Sequence, residues 1–300
     1  MINKYTMNNI RNLVLSVFAV LFTLTLQAQE ATKWRIITND GNQFIGTIIL
    51  QDKTQVQMET EQLGVLTFKK TNIKSSEQIT SRKNKKGEYL FWGENHHSSR
   101  YFFGPNGFGL KKGEGYYQNN WVFLNQVSYG ITDHFTLGVG VIPLFLFAGA
   151  NSPIWVTPKV SFEGEKVSFG AGALMGIVPG IDNTGFGVGY GSLTLGNRND
   201  NFTFGLGYGY ADGDWSSTPT ISLSGMFRLT SKSYFITENY WFGIQDFGLL
   251  SLGGRTAWSN IALDYGGVIP LGGDGLYIIP WLGVSIPFGK PNDLGIEKSR

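Results

Sequence analysis

The sequence predicts an all-β chain: a small β-roll, then a closed barrel of about 12 antiparallel strands, apolar outside and polar within. Three observations predict it. Between Tyr101 and Phe288, apolar residues alternate with small or polar ones in short runs separated by turns, with no helical pattern between them. Asn201 to Ala211 shows the period plainly, with Phe202, Phe204, Leu206, Tyr208 and Tyr210 on one face and Thr203, Gly205, Gly207, Gly209 and Ala211 on the other. A period of two belongs to a strand with two different faces. Beyond the N-terminal segment, apolar runs are interrupted every second or third residue, so a chain integral to a membrane crosses it as a barrel. An apolar outer face and an inner face of Gly, Ser and Thr is the transmembrane barrel pattern.

Composition narrows the function classes. The 24 Lys and Arg nearly balance the 22 Asp and Glu, so no strong field points to nucleic acid. The absence of Cys excludes disulfides, thiolate metal sites, a Cys nucleophile and a lipid-anchored N-terminal Cys. The 41 Gly residues are about twice average usage, without a collagen triplet.

In chain order, Lys4 and Arg11 precede the apolar run Leu13 to Leu26, followed by the small Ala28. Basic, apolar, then small is the order of a secretory signal peptide, so residues 1–28 are expected to be a removable leader. Residues 29–80 are expected to fold as a small periplasmic β-domain. Trp34 to Thr38 and Gln43 to Leu50 read as strands joined by the hairpin turn Asn39-Asp40-Gly41. Gln55 to Glu61, Val65 to Lys70 and Ile73 to Ile79 complete four or five strands. Gly46-Thr47-Ile48, Asp52, Val56 and Leu63-Gly64 resemble an SH3-like or Sm-like barrel, which implies a docking module for a periplasmic protein or cell-wall partner, or else a folded spacer. Residues 81–98, with Arg82, Lys83, Lys85 and Lys86, read as a basic solvated linker.

Over 99–290 the expected wall strands are Ser99–Leu110, Tyr117–Ile131, Phe135–Ala148, Ile154–Phe162, Val167–Pro179 and Phe186–Gly196. Asn201–Ala211, Thr220–Leu229, Tyr234–Ile244, Phe247–Thr256, Ile261–Leu271 and Leu276–Phe288 complete the twelve. The turns sort by parity. Short ones at Thr132-Asp133, 163–166, 197–200, 230–232 and 257–260 are expected to face the periplasm. Longer ones at 111–116, 149–153, 180–185, 212–219 and 272–275 are expected on the opposite side, which leaves both chain ends periplasmic. Residues 291–300 form a tail beyond the terminal strand. Trp121, Trp155, Trp241, Trp258 and Trp281 fall near strand ends and are expected as membrane-interface aromatics.

Ser99-Arg100-Tyr101, the run Leu110 to Asn119 and Tyr129-Gly130-Ile131-Thr132-Asp133 resemble outer-membrane β-barrel proteins of the Bacteroidota type, largely uncharacterised. The resemblance implies a Gram-negative outer membrane, with its lipid and the barrel-assembly machinery as partners, and carries no catalytic residues with it.

Candidate chemistry is sparse. Gly185, Gly187, Gly189 and Gly191 alternate with Phe186, Val188 and Tyr190 along a strand, so they are no phosphate-binding loop; they are expected to permit curvature and keep the interior narrow but unfilled. His96-His97 beside Ser98 and Ser99, and His134, lie away from the outer wall, where a lipid hydrolase would need a Ser–His pair. Neither an enzyme, a metal site nor a cofactor is expected. Lys159, Arg228, Glu238, Arg255 and Asp264 lie within strands and are expected to line the lumen, because a charge facing lipid costs about 2–4 kcal/mol. Glu238 and Asn239 are adjacent, so one of them faces outward or a bulge separates them. Two readings of the charges stand: a porin-like narrow channel whose mixed-charge lumen steers a small polar solute, or an internal salt-bridge network that plugs a barrel serving to anchor the N-terminal domain.

Overall fold

The computed structural model describes residues 33–83, 89–243, 247–258, 260–272 and 277–289. The expected leader and tail lie outside them. The described chain forms two compact units, one ending at Asn95 and the other beginning at His96.

The first unit is a six-stranded antiparallel sheet in the order β4-β3-β2-β1-β5-β6. Its strands are β1 (Lys33–Thr38), β2 (Gln43–Gln51), β3 (Gln55–Thr60), β4 (Gly64–Lys69), β5 (Ile73–Lys83) and β6 (Tyr89–Gly93). Gly41, with φ 87°, closes the β1–β2 hairpin in the left-handed conformation that Gly adopts without penalty. Asp52 fixes the next turn by accepting from the Thr54 and Gln55 amides at 2.7 and 2.8 Å. One face of the sheet buries Ile36, Val56, Met58, Phe68 and Ile73, with Trp34, Phe44, Ile48 and Leu66 packed around them. The basic stretch expected as a linker is partly sheet: Ser81, Arg82 and Lys83 pair with Phe91, Leu90 and Tyr89.

The second unit is a closed antiparallel barrel of 12 strands. They are β7 (Gly115–Asn120), β8 (Leu124–Gly130), β9 (Phe135–Val141), β10 (Ile154–Glu163), β11 (Val167–Ile177), β12 (Phe186–Gly196) and β13 (Asn201–Ala211), then β15 (Thr220–Arg228), β16 (Ser233–Phe242), β17 (Phe247–Ala257), β18 (Ala262–Leu271) and β19 (Ile279–Phe288). A two-residue extension, β14 (Asp214–Trp215), prolongs the hairpin beyond β13. Closure comes from β19 pairing with β7, from Gly283 opposite Asn120 to Phe288 opposite Gly115. Both ends of the wall lie on the side of the short turns.

Two departures from the sequence reading cancel in the strand count. Ser99–Leu110 is not a wall strand; Arg100, Tyr101, Phe102, Phe108 and Leu110 are buried, and the segment runs through the lumen with only an isolated bridge between Arg100 and Pro105. Pro105 and three glycines within 12 residues prevent a continuous ladder. Tyr117–Ile131, expected as one long strand, is the hairpin β7–β8. Its turn holds Trp121 at φ 51° and Val122 at φ 66°, with the Phe123 amide donating to the Asn120 carbonyl at 3.1 Å. Such a turn normally carries Asn or Gly, so nothing in its composition announces it. Trp121 is retained there by its side chain: its indole donates to the Pro280 carbonyl at 2.6 Å and packs on Trp281 at 4.6 Å. Lys111–Tyr116 accordingly belongs to the short-turn side, where the Lys112 amide donates to Asp133 at 3.0 Å.

The outer face is apolar over most of its area, with Val139, Val156, Val160, Phe162, Phe169, Met175, Phe204, Leu206, Tyr208, Leu252, Leu282 and Ile286 all exposed. In β12 the expected inside and outside are exchanged. Gly187, Gly189 and Gly191 lie opposite Tyr210, Tyr208 and Leu206, and cross-strand partners share a face. The glycines therefore face outward, while Val188, Tyr190, Ser192 and Thr194 face the lumen. Tyr190 finds room because Gly172 and Gly207 stand opposite it.

Val122 pays for a left-handed backbone with almost no packing in return, since it is 74% exposed. Val122→Gly is expected to raise stability by about 1 kcal/mol. The check is the denaturant midpoint of the protein folded into lipid vesicles; a lower midpoint would contradict this account of the turn.

Candidate functional site: a plugged lumen

The lumen is occupied by the segment 96–114, and the inward side chains of the wall hold it. Backbone outside a ladder leaves N–H and C=O groups that need partners. Wall charges supply many of them. Lys159 of β10 donates to the Ser99 carbonyl at 3.2 Å and to that of Phe108 at 2.6 Å. Glu238 of β16 accepts from the Phe103 and Gly104 amides at 3.0 and 2.8 Å, and from the Tyr240 hydroxyl at 2.8 Å. Arg255 of β17 donates to the His97 carbonyl at 2.7 Å and to that of Tyr101 at 2.6 Å.

Arg255 and Asp264 face each other across β17 and β18. Arg255 Nε and Nη2 donate to Asp264 at 2.5 and 3.1 Å, and Arg100 Nη1 donates to the same carboxylate at 2.8 Å. All three side chains are buried, so this pin between plug and wall works at low dielectric. Neutral groups extend it: the Tyr101 hydroxyl meets Asn201 at 2.7 Å and Thr203 at 2.6 Å, and the Gly107 amide donates to Thr194 at 2.7 Å. A Cβ on Gly107 would meet the Ser168 backbone carbonyl at 2.6 Å, so only glycine lets the plug lie this close to β11.

Of the five expected lumen charges, four converge on the plug: Lys159, Glu238, Arg255 and Asp264. Arg228 does not. It ties the short turns together, donating to the Asn199 side chain at 2.9 Å and to the Ser231 carbonyl at 2.7 Å. Glu238 lies on the lumen face without a bulge. Asn239 lies on the opposite face, where its amide donates to the Leu223 carbonyl at 2.9 Å and its oxygen accepts from the Ser251 amide at 3.1 Å. The sequence reading missed Arg100, which it assigned to a wall strand, and Arg198. The latter pairs with Glu163 and donates to the Gly109 carbonyl at 2.9 Å.

The interface aromatics divide. Trp241 and Trp258 are exposed on the outside. Trp155 instead faces inward and is buried, its indole donating to Gln126 at 2.8 Å over the bare backbone of Gly140. Trp281 is also inside, packed on Phe102 at 5.5 Å, with Trp121 folded against it. Proximity to a strand end did not reveal which face each ring occupies. Part of the lumen is thus an apolar core of Tyr101, Phe102, Met226, Tyr234, Ile236, Val268 and Trp281, where the expectation was polar throughout. Beside it remains a cavity of about 180 Å³, bordered by Arg100, Tyr116, Lys159, Tyr190, Ser192 and Tyr240.

The histidines also separate. His97 is buried on the lumen side with Nδ1 3.1 Å from the Ser285 hydroxyl, whereas His134 sits at a short turn, its Nδ1 3.1 Å from the Ser161 carbonyl. The Ser285–His97 pair faces away from the apolar exterior.

No protein-family model and no curated protein matches the chain. Among solved structures it is similar to a triple mutant of the Rhodopseudomonas blastica porin, at 11% identity over 86% of this chain and 98% of that one, with a TM-score of 0.33. A loop L8 deletion mutant of OmpT, an outer membrane protein of Vibrio cholerae, matches at 11% identity over 86% and 97%, also with a TM-score of 0.33.

Removing one member of the Arg100–Asp264–Arg255 pin strands the others. Asp264→Asn is expected to cost about 3–5 kcal/mol, whereas replacing all three by apolar residues of similar volume costs far less. Denaturant midpoints of the two variants check this; an equal loss in both would show that the charges act only by filling space.

Proposed function

We propose that the chain is an integral outer-membrane protein of a Gram-negative envelope: a gated channel or transporter for a small solute, closed in this conformation by its own N-terminal plug. The largely apolar exterior supports membrane insertion, because lipid offers no partners for polar side chains and a closed barrel has no unpaired edge. The short turns and both ends of the wall then lie on the periplasmic side, with the first unit as a periplasmic domain. Its strand order suits the SH3-like or Sm-like resemblance and a role in docking a periplasmic protein or cell-wall partner. The Bacteroidota-type resemblance agrees with this location.

One observation carries the gating. The plug joins no wall strand by a ladder, so it can leave while the 12-stranded wall stays intact. Backbone bonds to β8 begin only at its end, where the Gly113 amide donates to the Gly130 carbonyl at 2.9 Å; before that, its described attachments to the wall are side-chain hydrogen bonds, an ion pair and apolar and aromatic contacts, all reversible. A second reading has its own support: the buried ion pairs and apolar core make the plug a permanent filling, and the barrel then serves as an anchor for the first unit. A hydrolytic role is disfavoured, since Ser285 and His97 are buried away from lipid.

Conductance in planar bilayers separates the two readings. The full chain is expected to be silent or to show only small, brief steps. Gly107→Ala, which forces the plug off β11, and Asp264→Asn, which breaks its pin, are expected to give larger and longer openings. Variants that insert, remain folded and stay silent would leave the anchor as the function.

A further inference from the structure

The cavity beside the plug lies in the half of the lumen nearer the long loops. Gln126, Thr157, Val188 and Thr220 border it, and each falls within the first four residues of its strand, at the loop end. The plug's Gly107 and Leu110 instead meet Ser168 and Thr136, beside the short turns. Strand register builds one wall of the cavity. Tyr190, Gly207 and Thr220 stand in one row across β12, β13 and β15; Ser192, Gly205, Ser222 and Tyr240 form the next, which runs on to β16. Row neighbours share a face, so two bare glycines lie between hydroxyl-bearing side chains. A Cβ on Gly205 would strike the Ser222 hydroxyl.

The polar groups this wall offers are neutral. Among the described residues none hydrogen-bonds the hydroxyls of Tyr116, Tyr190, Thr220 or Ser222, and none of the four oxygens is sealed from solvent. Each can both donate and accept. The charges beneath are engaged and balanced. Lys159 donates to two plug carbonyls, Glu238 accepts from two plug amides, and Arg100 and Arg255 share Asp264. With Glu114 of the plug, also buried, the cations Arg100, Lys159 and Arg255 are matched by the carboxylates Glu114, Glu238 and Asp264. At the rim, the described long-loop turns carry Asp182, Asp212 and Asp214 and no Lys or Arg, and the sequence of 244–246 and 273–276 adds only Asp246 and Asp274. An anion is therefore repelled at the mouth and finds no spare positive charge within.

A polyol reproduces the hydrogen bonds that water makes to such hydroxyls, whereas an apolar ring of the same size leaves them unpaired. Tyr116, Tyr190 and Tyr240 add apolar ring faces. At about 180 Å³ the space exceeds the ~150 Å³ cavity that takes benzene and falls below drug-sized pockets of ~300 Å³ or more. It suits one six-membered ring with short substituents. From these we infer that the cavity is a binding site for a neutral polyol of monosaccharide size, its hydroxyls on Tyr190, Thr220 and Ser222 and its C–H face against the tyrosine rings. The inference rests on the proposed passage of a small solute and names its class.

The test titrates the full chain, in deuterated detergent micelles, with glucose, myo-inositol, glucuronate and glucosamine, and reads affinity by saturation-transfer NMR. At least one of the two neutral probes is expected to bind about ten-fold or more tightly than either charged one. Tyr190→Phe and Ser222→Ala, which each remove one hydroxyl, are expected to weaken that probe about five-fold. Ser222→Leu, which fills the space over Gly205, is expected to abolish it. A heat-dependent shift in gel migration verifies that each variant keeps its barrel. Failure of both neutral probes to bind would overturn the proposal, as would glucuronate or glucosamine binding as tightly as glucose, or binding that all three folded variants leave intact. The channel reading fails separately. A neutral probe bound at Tyr190 in a protein that never conducts in planar bilayers refutes passage and keeps the site, while conduction without such binding refutes the site and keeps passage.

Discussion

A stretch of irregular backbone inside a barrel has no neighbouring strand to satisfy its amides and carbonyls, and the wall must provide for it side chain by side chain. That constraint accounts for most of what is unusual within this lumen. Lys159, Glu238 and Arg255 lie on three different strands, and each makes hydrogen bonds to plug backbone. Asp264 completes the set by holding Arg100 and Arg255 together. A buried charge is tolerable only when paired and hydrogen-bonded. Here the plug's main chain supplies much of that compensation, so plug and charges require one another.

The outer surface answers to a different constraint, and it was the more legible one. Lipid, or any apolar surrounding, selects one face of every strand with a period of two, and that period survives in sequence whatever the partner strands are. β12 and β13 were therefore located to the residue, and most of the others to within two or three. Period alone does not say which face is outer, however. In β13 the aromatic face is outside; in β12 the Phe186, Val188 and Tyr190 face is inside, because the register sets Gly187 and Gly189 beside the outward Tyr210 and Tyr208. The same ambiguity misassigned Trp155 and Trp281, whose inward positions depend on Gly140 across the hairpin and on Phe102 far off in the chain.

The even strand count was right for a reason that conceals the two errors beneath it. When both ends of a barrel lie on one side, the number of crossings must be even. Treating Ser99–Leu110 as a wall strand added one crossing, and reading the β7–β8 hairpin as a single strand removed one. Parity detects a lone mistake and is blind to a pair. The signals that would have separated them are local and weak. Pro105 with Gly104, Gly107 and Gly109 argues against a ladder, and the opposing signal at the hairpin, a left-handed Trp121-Val122, has no compositional mark. The turn survives through the Trp121 contacts with Pro280 and Trp281, which no local reading can foresee.

The lumen charges show where inference from residues stops. Alternation with small and polar residues put Lys159, Arg228, Arg255 and Asp264 on the inner face and left Glu238 and Asn239 open, and the cost of exposing charge to lipid gave the reason. What each of them binds was illegible, because main-chain carbonyls and amides have no sequence signature. A salt-bridge network among the five would have been visible as complementary charges; only Arg255 and Asp264 form such a pair across the wall. Most of the remaining partners of Lys159, Glu238 and Arg255 are backbone groups of a segment read as wall. The role of a lumen charge therefore turns on topology: the same Lys and Glu would steer a solute in an empty barrel, and here they hold a plug.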